Sequence, residues 1–294
     1  MGEYKYVLYE KDGAIATITL NRPERLNAFD FPGQGGICDD FFSALEEAEV
    51  DDEVKVVIIR GAGRAFCAGH DLSTVGYIYG MSDRPTDKRP GQRIRLKVDR
   101  NWLWAHHMRL MFHPKITIAQ VHGYCIGEGL MIVEECDLAI ASEDALLGHT
   151  EQRLGFAGCG ISTVLPLILS VGLKRARWML LTGKQISGKE AAEIGLVNKA
   201  VPPDKLDETV RKLAEALVLY PADGIAIGKA MTNIVYDILG IPSSFSTGYV
   251  GHTLFTNLRY QPGEWIFFRE RRDKGVKAAF HERDKIFEEK LKDL

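Results

Sequence analysis

The chain predicts an α/β protein whose parallel strands are joined by crossovers, and three observations carry that reading. Apolar runs at residues 54–59, 116–121 and 138–141 are short, as strands buried on both faces are, and the first is rich in Val and Ile. Segments with helical spacing separate them, and that alternation marks crossover-connected parallel strands. From Gly160 onward the pattern becomes mostly helical. At 294 residues the chain is long enough for a large core, as one domain or one and a half.

Taken in order, residues 6–20 alternate and carry Ile15, Thr17, Ile18 and Thr19, which predicts a hairpin around Lys11-Asp12-Gly13. Phe31-Pro32-Gly33-Gln34-Gly35-Gly36 is a loop without the Gly-Lys-Ser/Thr of a phosphate loop. Residues 39–49 have helical spacing, with Phe42, Leu45 and Ala48 on one face. Gly61-Ala62-Gly63 lacks the third glycine of a dinucleotide fingerprint. Residues 73–113 open with Tyr77, Tyr79 and Met81 and pass through Arg84, Lys88, Arg89, Arg93, Arg95, Lys97 and Arg100. They end with Trp102, Trp104, Met108, Met111 and Phe112. The basic run reads as a solvated face rather than a phosphate contact, and the Met and Trp residues read as core. Ser187-Gly188-Lys189-Glu190 is a capping box, and Gly195 closes the helix it starts. Residues 206–219 and 264–287 carry further helical spacing.

Composition excludes several function classes. A net charge of −3 and a pI near 6.3 leave no general footprint for nucleic acid. Cys38, Cys67, Cys125, Cys136 and Cys159 are an odd number without a Cys-x-x-Cys pair, so buried thiols are expected rather than a disulfide frame. No His or Cys pair has zinc-ligand spacing, and no metal is implied. The N-terminus lacks a basic-then-apolar signal, Tyr6 stands where a myristoylation motif wants Ser or Thr, and no apolar stretch reaches the ~20 residues of a membrane span. The expectation is a soluble, cytoplasmic protein with no membrane or nucleic-acid partner.

Chemistry concentrates at two glycine-containing turns. In Ile118-Ala119-Gln120-Val121-His122-Gly123-Tyr124-Cys125-Ile126-Gly127-Glu128-Gly129 a strand runs through three glycines into a helix start at Leu130. The first N–H groups of such a helix are unpaired, Gly127 and Gly129 leave room for an outside oxygen, and the helix dipole favours negative charge there. The alternative is a tight turn without a ligand. Arg64-Ala65-Phe66-Cys67-Ala68-Gly69-His70-Asp71-Leu72 also follows a strand and also ends in a glycine turn. Two such turns can aim two N–H groups at one oxygen, as an oxyanion hole does.

These paired turns resemble those of the crotonase superfamily, which includes enoyl-CoA hydratases and isomerases. The resemblance extends to Asn21-Arg22-Pro23-Glu24-Arg25-Leu26-Asn27-Ala28, Cys136-Asp137-Leu138-Ala139-Ile140-Ala141 and Gly188-Lys189-Glu190-Ala191-Ala192, and spans nearly the whole chain. It implies a spiral of β-β-α units over residues 1–200, holding the active site. Residues 201–294 would then form a helical region for trimerisation and CoA contact. No internal sequence repeat shows the spiral independently. The resemblance also implies an acyl-CoA substrate, no cofactor beyond that CoA, and a homotrimer or dimer of trimers. Oxyanion donors would be the backbone N–H groups of His70 and Glu128. Arg25, Ala68, Asp71, Leu72, Phe280 and Arg283 would contact CoA or substrate, with Arg283 as the basic partner of a phosphate. The aromatic, Met-rich segment after the first turn would suit a bulky or cyclic acyl group.

Family hydratases use two glutamates, and this chain keeps one. Glu151, in Leu147-Gly148-His149-Thr150-Glu151-Gln152-Arg153, matches the second; Met131 stands at the first and cannot move a proton. Glu128 stands where small residues are usual. Its side chain either enters the site as a replacement carboxylate or turns to solvent at the positive helix end, and solvent is the expectation because a buried carboxylate would oppose an enolate. Glu135, one turn beyond Met131, is expected to form a structural pair. His149 and Glu151 share a face in an extended segment and could converge to activate water. The other histidines, His70, His106, His107, His113 and His122 among them, default to structural or surface roles. Hydration of an enoyl-CoA, with lyase activity in some members, therefore leads. Δ3,Δ2-isomerisation comes second, and C–C or thioester hydrolysis by His149 and Glu151 third. A silent CoA-like or RNA-binding member is the remaining alternative.

Overall fold

A computed structural model describes residues 2–73, 90–156, 162–255 and 258–292. Tyr77, Tyr79, Met81, Arg84, Lys88, Arg89 and Cys159 lie outside the described residues. Strands β1 (Val7–Asp12) and β2 (Ile15–Leu20) form the expected hairpin, turning at Gly13 with φ +59°. Helix α1 (Ile37–Val50) follows, then β3 (Val56–Gly61) and β4 (Ala65–Cys67). Helix α2 (Gln92–Asp99) runs through a π-helical stretch (Arg100–His106) into α3 (His107–Met111). Next come β5 (Ile116–Val121), β6 (Tyr124–Ile126) and α4 (Glu128–Glu135). Strands β7 (Leu138–Ser142) and β8 (Leu146–Gly148) lead to a 3-10 turn (Glu151–Leu154), α5 (Val164–Val171) and α6 (Leu173–Thr182). After β9 (Ile186–Ser187), α7 (Gly188–Glu193) and β10 (Lys199–Val201) the chain is helical. It forms α8 (Leu206–Leu217), α9 (Ala222–Leu239), α10 (Ile241–Phe255), α11 (Phe267–Lys274) and α12 (Val276–Leu291).

Two sheets result, a six-stranded one ordered β1-β2-β3-β5-β7-β10 and a four-stranded one ordered β4-β6-β8-β9. Each pair β3/β4, β5/β6 and β7/β8 sends its first strand to the large sheet and its second to the small one. The neighbours β3, β5 and β7 pair in parallel, as do β4, β6 and β8. This is the expected spiral of β-β-α units.

The apolar runs that marked the strands are continuous because both faces of the large sheet are covered. Val57, Ile59, Ala119, Val121, Ala139 and Ala141 face the main core, with α1 and the small sheet. Val56, Ile58, Ile118 and Ile140 face the other way, under Leu206, Val210 and Ala214 of α8. Strand alternation thus feeds two separate cores.

Three details depart from expectation. The spacing over 264–287 is interrupted at Gly275, whose φ of +85° ends α11 and starts α12. In the capping box, Ser187 Oγ accepts from the Glu190 N–H at 3.1 Å, but the return bond from the Glu190 side chain is not formed. Trp102, expected as core, lies in the π-helical stretch and is buried yet also lines the cavity described next. The described thiols Cys38, Cys67, Cys125 and Cys136 are free, in line with the expectation of thiols rather than a disulfide frame.

Candidate active site

Both glycine turns open on one cavity of about 1020 Å³. The first turn leaves β4 and is strapped to residues 26–29. Ala68 N–H donates to the Leu26 carbonyl (3.0 Å), Phe29 N–H to that of Gly69 (2.8 Å), and Asp71 N–H to that of Phe29 (2.9 Å). Asn27 holds the strap: its amide nitrogen donates to the carbonyls of Ala62, Ala65 and Phe66 at 2.8–3.2 Å, and its Oδ1 accepts from the Arg22 N–H at 2.9 Å. Fully buried and at φ +55°, Asn27 explains physically part of the segment from Asn21 to Ala28. Sequence reading assigned it no role, although an Asn tolerant of the left-handed region is a usable signal.

The second turn leaves β6 and becomes α4. Gly127 has φ +54°, its N–H donates to the Gly148 carbonyl (3.0 Å), and a Cβ there would lie 2.9 Å from Glu151 Oε1. The carboxylate of Glu151 therefore rests against this turn. The room expected at Gly129 for an incoming oxygen is not there. A Cβ at Gly129 would meet the Cys67 carbonyl at 2.6 Å, so this glycine lets α4 pack on β4 instead. That close packing brings the turns together: a Cβ on Gly69 would lie 3.8 Å from the Glu128 nitrogen. Neither the His70 N–H nor the Glu128 N–H donates to a described backbone group.

Glu151 begins the 3-10 turn after β8, lines the cavity, and keeps Oε2 without a hydrogen-bond partner. His149 does not line the cavity. Its ring is fully buried behind Glu151, with Nε2 3.0 Å from Glu134 Oε1 and Nδ1 3.8 Å from Glu151 Oε1. The two residues converge as expected, but Glu134, unassigned before, pins the ring. Burial opposes charge on His149, yet the Glu134 and Glu151 carboxylates overcome it and push the imidazole up to about 10.

Glu128 overturns the solvent expectation. Its side chain is fully buried, and Oε1 accepts from Trp102 Nε1 (3.1 Å) and faces His107 Nε2 (3.1 Å). His107 Nδ1 is 2.8 Å from both oxygens of Glu135, so the expected structural pairing of Glu135 is present. Burial raises both carboxyls, most visibly Glu135, which sits at about 7, while His107 holds Glu128 below its ordinary value. Burial works against charge on His107 too, but the two carboxylates push it up to about 10. His107 is thus neither lone nor superficial. The missed clue was a histidine on an apolar helical face opposite a segment carrying Glu128, Glu134 and Glu135.

His70 projects its ring between Phe31 (stacked, centroids 4.9 Å apart) and Trp102 (edge-on, 4.5 Å), with Nε2 3.9 Å from Glu128 Oε2. Burial pushes its pKa down. Met131, buried at the position of the missing glutamate, joins Phe31, Trp102, Leu103 and Phe156 in an apolar wall.

The residues expected to contact CoA all line the cavity: Arg25, Ala68, Asp71, Leu72, Phe280 and Arg283. Asp71 differs from expectation in what its carboxylate does. Oδ1 accepts from Ser73 N–H (3.0 Å) and Oγ (2.5 Å), and Oδ2 pairs with Arg22 (3.2 Å), so the carboxylate holds the turn. Arg283 lies over the Phe280 ring at 4.9 Å and pairs with Asp284, Nε to Oδ1 at 2.7 Å. Arg25, Arg64 and Lys277 are exposed at the rim and add positive charge. No group of three or more His, Cys, Asp or Glu suited to a metal occurs among the described residues.

A model of the enoyl-CoA hydratase/isomerase family matches residues 10–237. EchA13 of Mycobacterium tuberculosis, described as a candidate enoyl-CoA hydratase, is 34% identical over 265 residues, 86% of this chain and 81% of its own. The hydroxycinnamoyl-CoA hydratase-lyase of Pseudomonas fluorescens is 33% identical over 74% of each chain. Among solved structures, an enoyl-CoA hydratase/isomerase from Xanthobacter autotrophicus Py2 superposes with a TM-score of 0.79 at 33% identity, covering 97% of this chain and 99% of that one.

Proposed function

Because the chain belongs to the enoyl-CoA hydratase/isomerase family, the crotonase superfamily, and is an enzyme of that family, we propose that it hydrates an enoyl-CoA with Glu151 as its single acid/base group. One observation carries this reading: the Glu151 carboxylate lies against the Gly127 turn, beside two unpaired amides. The thioester oxygen binds at the His70 and Glu128 N–H groups, which stabilise the negative charge as the enolate forms. Glu151 takes a proton from water as the oxygen adds to the β-carbon, then returns that proton to the α-carbon. Met131 offers no second carboxylate, so one group serves both transfers.

Phe31, Trp102, Leu103, Met131 and Phe156 favour a bulky or cyclic acyl group. An aromatic enoyl group suits such a wall, and the Pseudomonas relative is named for one. Arg25, Phe280 and Arg283, with Arg64 and Lys277, would take the nucleotide and phosphate end of CoA. The exposed apolar face of α9 supports a homotrimer or dimer of trimers, and the free thiols suit a cytoplasmic setting.

Isomerisation is the second reading, because one carboxylate can also carry a proton from the γ- to the α-carbon or back. Hydrolysis is less well supported, since His149 is pinned by Glu134 away from the cavity and the flanking carboxylates raise its pKa, which disfavours its taking a proton from water. Mass spectrometry after incubation with a panel of enoyl- and oxoacyl-CoAs separates these. Hydration adds one water, isomerisation leaves mass unchanged with a moved double bond, and cleavage splits the product. Glu151→Gln is expected to lower kcat by about 10²- to 10⁴-fold. Unchanged turnover in that variant would remove both the hydratase and the isomerase readings.

A further inference from the structure

We propose that the buried chain Trp102–Glu128–His107–Glu135 is a positioning device, which anchors the second oxyanion amide through its own side chain and cancels the charge that this anchor brings. The inference rests on the reading that the Glu128 N–H is an oxyanion donor. A glutamate here needs a reason. Its carboxylate is attached to the residue that donates to a forming enolate, and an uncompensated negative charge so close would oppose that enolate.

The geometry answers both halves of the problem. Glu128 Oε1 is fixed from two sides, by Trp102 Nε1 at 3.1 Å and His107 Nε2 at 3.1 Å, from elements 26 and 21 residues away. His107 is itself clamped by Glu135 at 2.8 Å, and Glu135 lies two turns further along the same helix α4. Helix α4 is therefore held to α3 at its first and last residues through one imidazole. The starting residue, whose amide faces the cavity, cannot rotate without breaking two buried hydrogen bonds. The two carboxylates flanking His107, at 3.1 and 2.8 Å, favour its charged form and so set a positive charge against Glu128. The partner amide is tied in as well: the His70 ring packs on Trp102 and brings Nε2 to 3.9 Å from Glu128 Oε2. Both hole-forming residues thus lean on the same indole and carboxylate.

None of these side chains exchanges a proton with substrate in this account. The device acts only where negative charge develops, so its loss appears in kcat rather than in KM. His107→Gln leaves the Glu128 carboxylate without its cation, and kcat is expected to fall about 10- to 100-fold with KM little changed. Glu128→Ala releases the anchor and lowers kcat likewise. The discriminating variant is the double one, His107→Gln with Glu128→Gln. Removing the uncompensated charge restores part of the activity lost in His107→Gln, whereas a merely structural role predicts further loss. A second readout uses acetoacetyl-CoA: the fraction bound as enolate, measured by absorbance, drops in His107→Gln and recovers in the double variant. Variants are compared only after circular dichroism shows the wild-type fold. If His107→Gln does not fold, Glu128→Ala and the double variant carry the test. Full kcat in Glu128→Ala overturns the inference, as does a double variant no better than a folded His107→Gln. Failure of the underlying reading looks different: the wild type would then neither turn over an enoyl-CoA nor enolise acetoacetyl-CoA.

Discussion

A methyl group on Gly129 would sit 2.6 Å from the Cys67 carbonyl oxygen and 2.8 Å from its Cβ, in a place with no flexible neighbour to yield. Gly129→Ala must push α4 away from β4 and separate the two turns. We expect a lower Tm and a lower kcat, read by thermal circular dichroism and hydration assays. Single histidines leave a mark of another kind. His107 and His149 are both raised to about 10 from an ordinary value near 6.5. A raised folded-state pKa contributes stability that is full below the unfolded value and is lost as pH climbs through the folded one. Thermal melts should therefore show Tm declining from pH 7 to 10, and His107→Gln should decline less steeply. At this scale the sequence was partly legible. Glu151 stood out through the family resemblance of its segment, and His149 beside it because i and i+2 share a face of an extended segment. The inward turn of Glu128 was not, because its partners Trp102 and His107 lie on a distant helix and no local pattern links them. Gly129 was recognised as necessary for the wrong reason: close packing and ligand access both require the absence of a side chain.

Elements were read more reliably than their ends. Helix α8 shows why: Leu206, Val210 and Ala214 recur at helical spacing, and that face packs on the outer side of β3, β5 and β7. Val210 is fully buried there, so Val210→Ala is expected to cost about 2 kcal/mol, measured by urea unfolding, with catalysis unaffected on the far side of the sheet. The three strands were equally plain as apolar runs, since burial on both faces removes the alternation that a half-exposed strand would show. Short connections were less legible. The break at Gly275 and the π-helical widening at Arg100–His106 depend on backbone geometry that spacing does not encode.

On the scale of the molecule, α9 is the exception to the pattern of buried faces. Ile227, Met231, Ile234 and Ile238 lie on one side at helical spacing and are largely exposed, Ile238 at 79%. No single described helix is long and apolar enough to cross a membrane. An apolar surface of this kind fits a contact between chains. Light scattering is expected to give three or six times the 32.8 kDa of one chain, and Ile234→Asp to reduce that mass. A monomeric wild type would contradict the assembly.

The spiral has a last consequence. Strands β4 and β6, which carry the two turns, are adjacent rungs of one ladder, bonded in parallel. Rungs of any such ladder stand roughly 4.8 Å apart, a spacing dictated by main-chain hydrogen bonding and indifferent to which side chains the strands bear. The separation of the points where the two turns leave the sheet is thus inherited from the architecture, while the packing beyond them, at Gly129 and around Glu128, sets how the proposed anion donors are aimed.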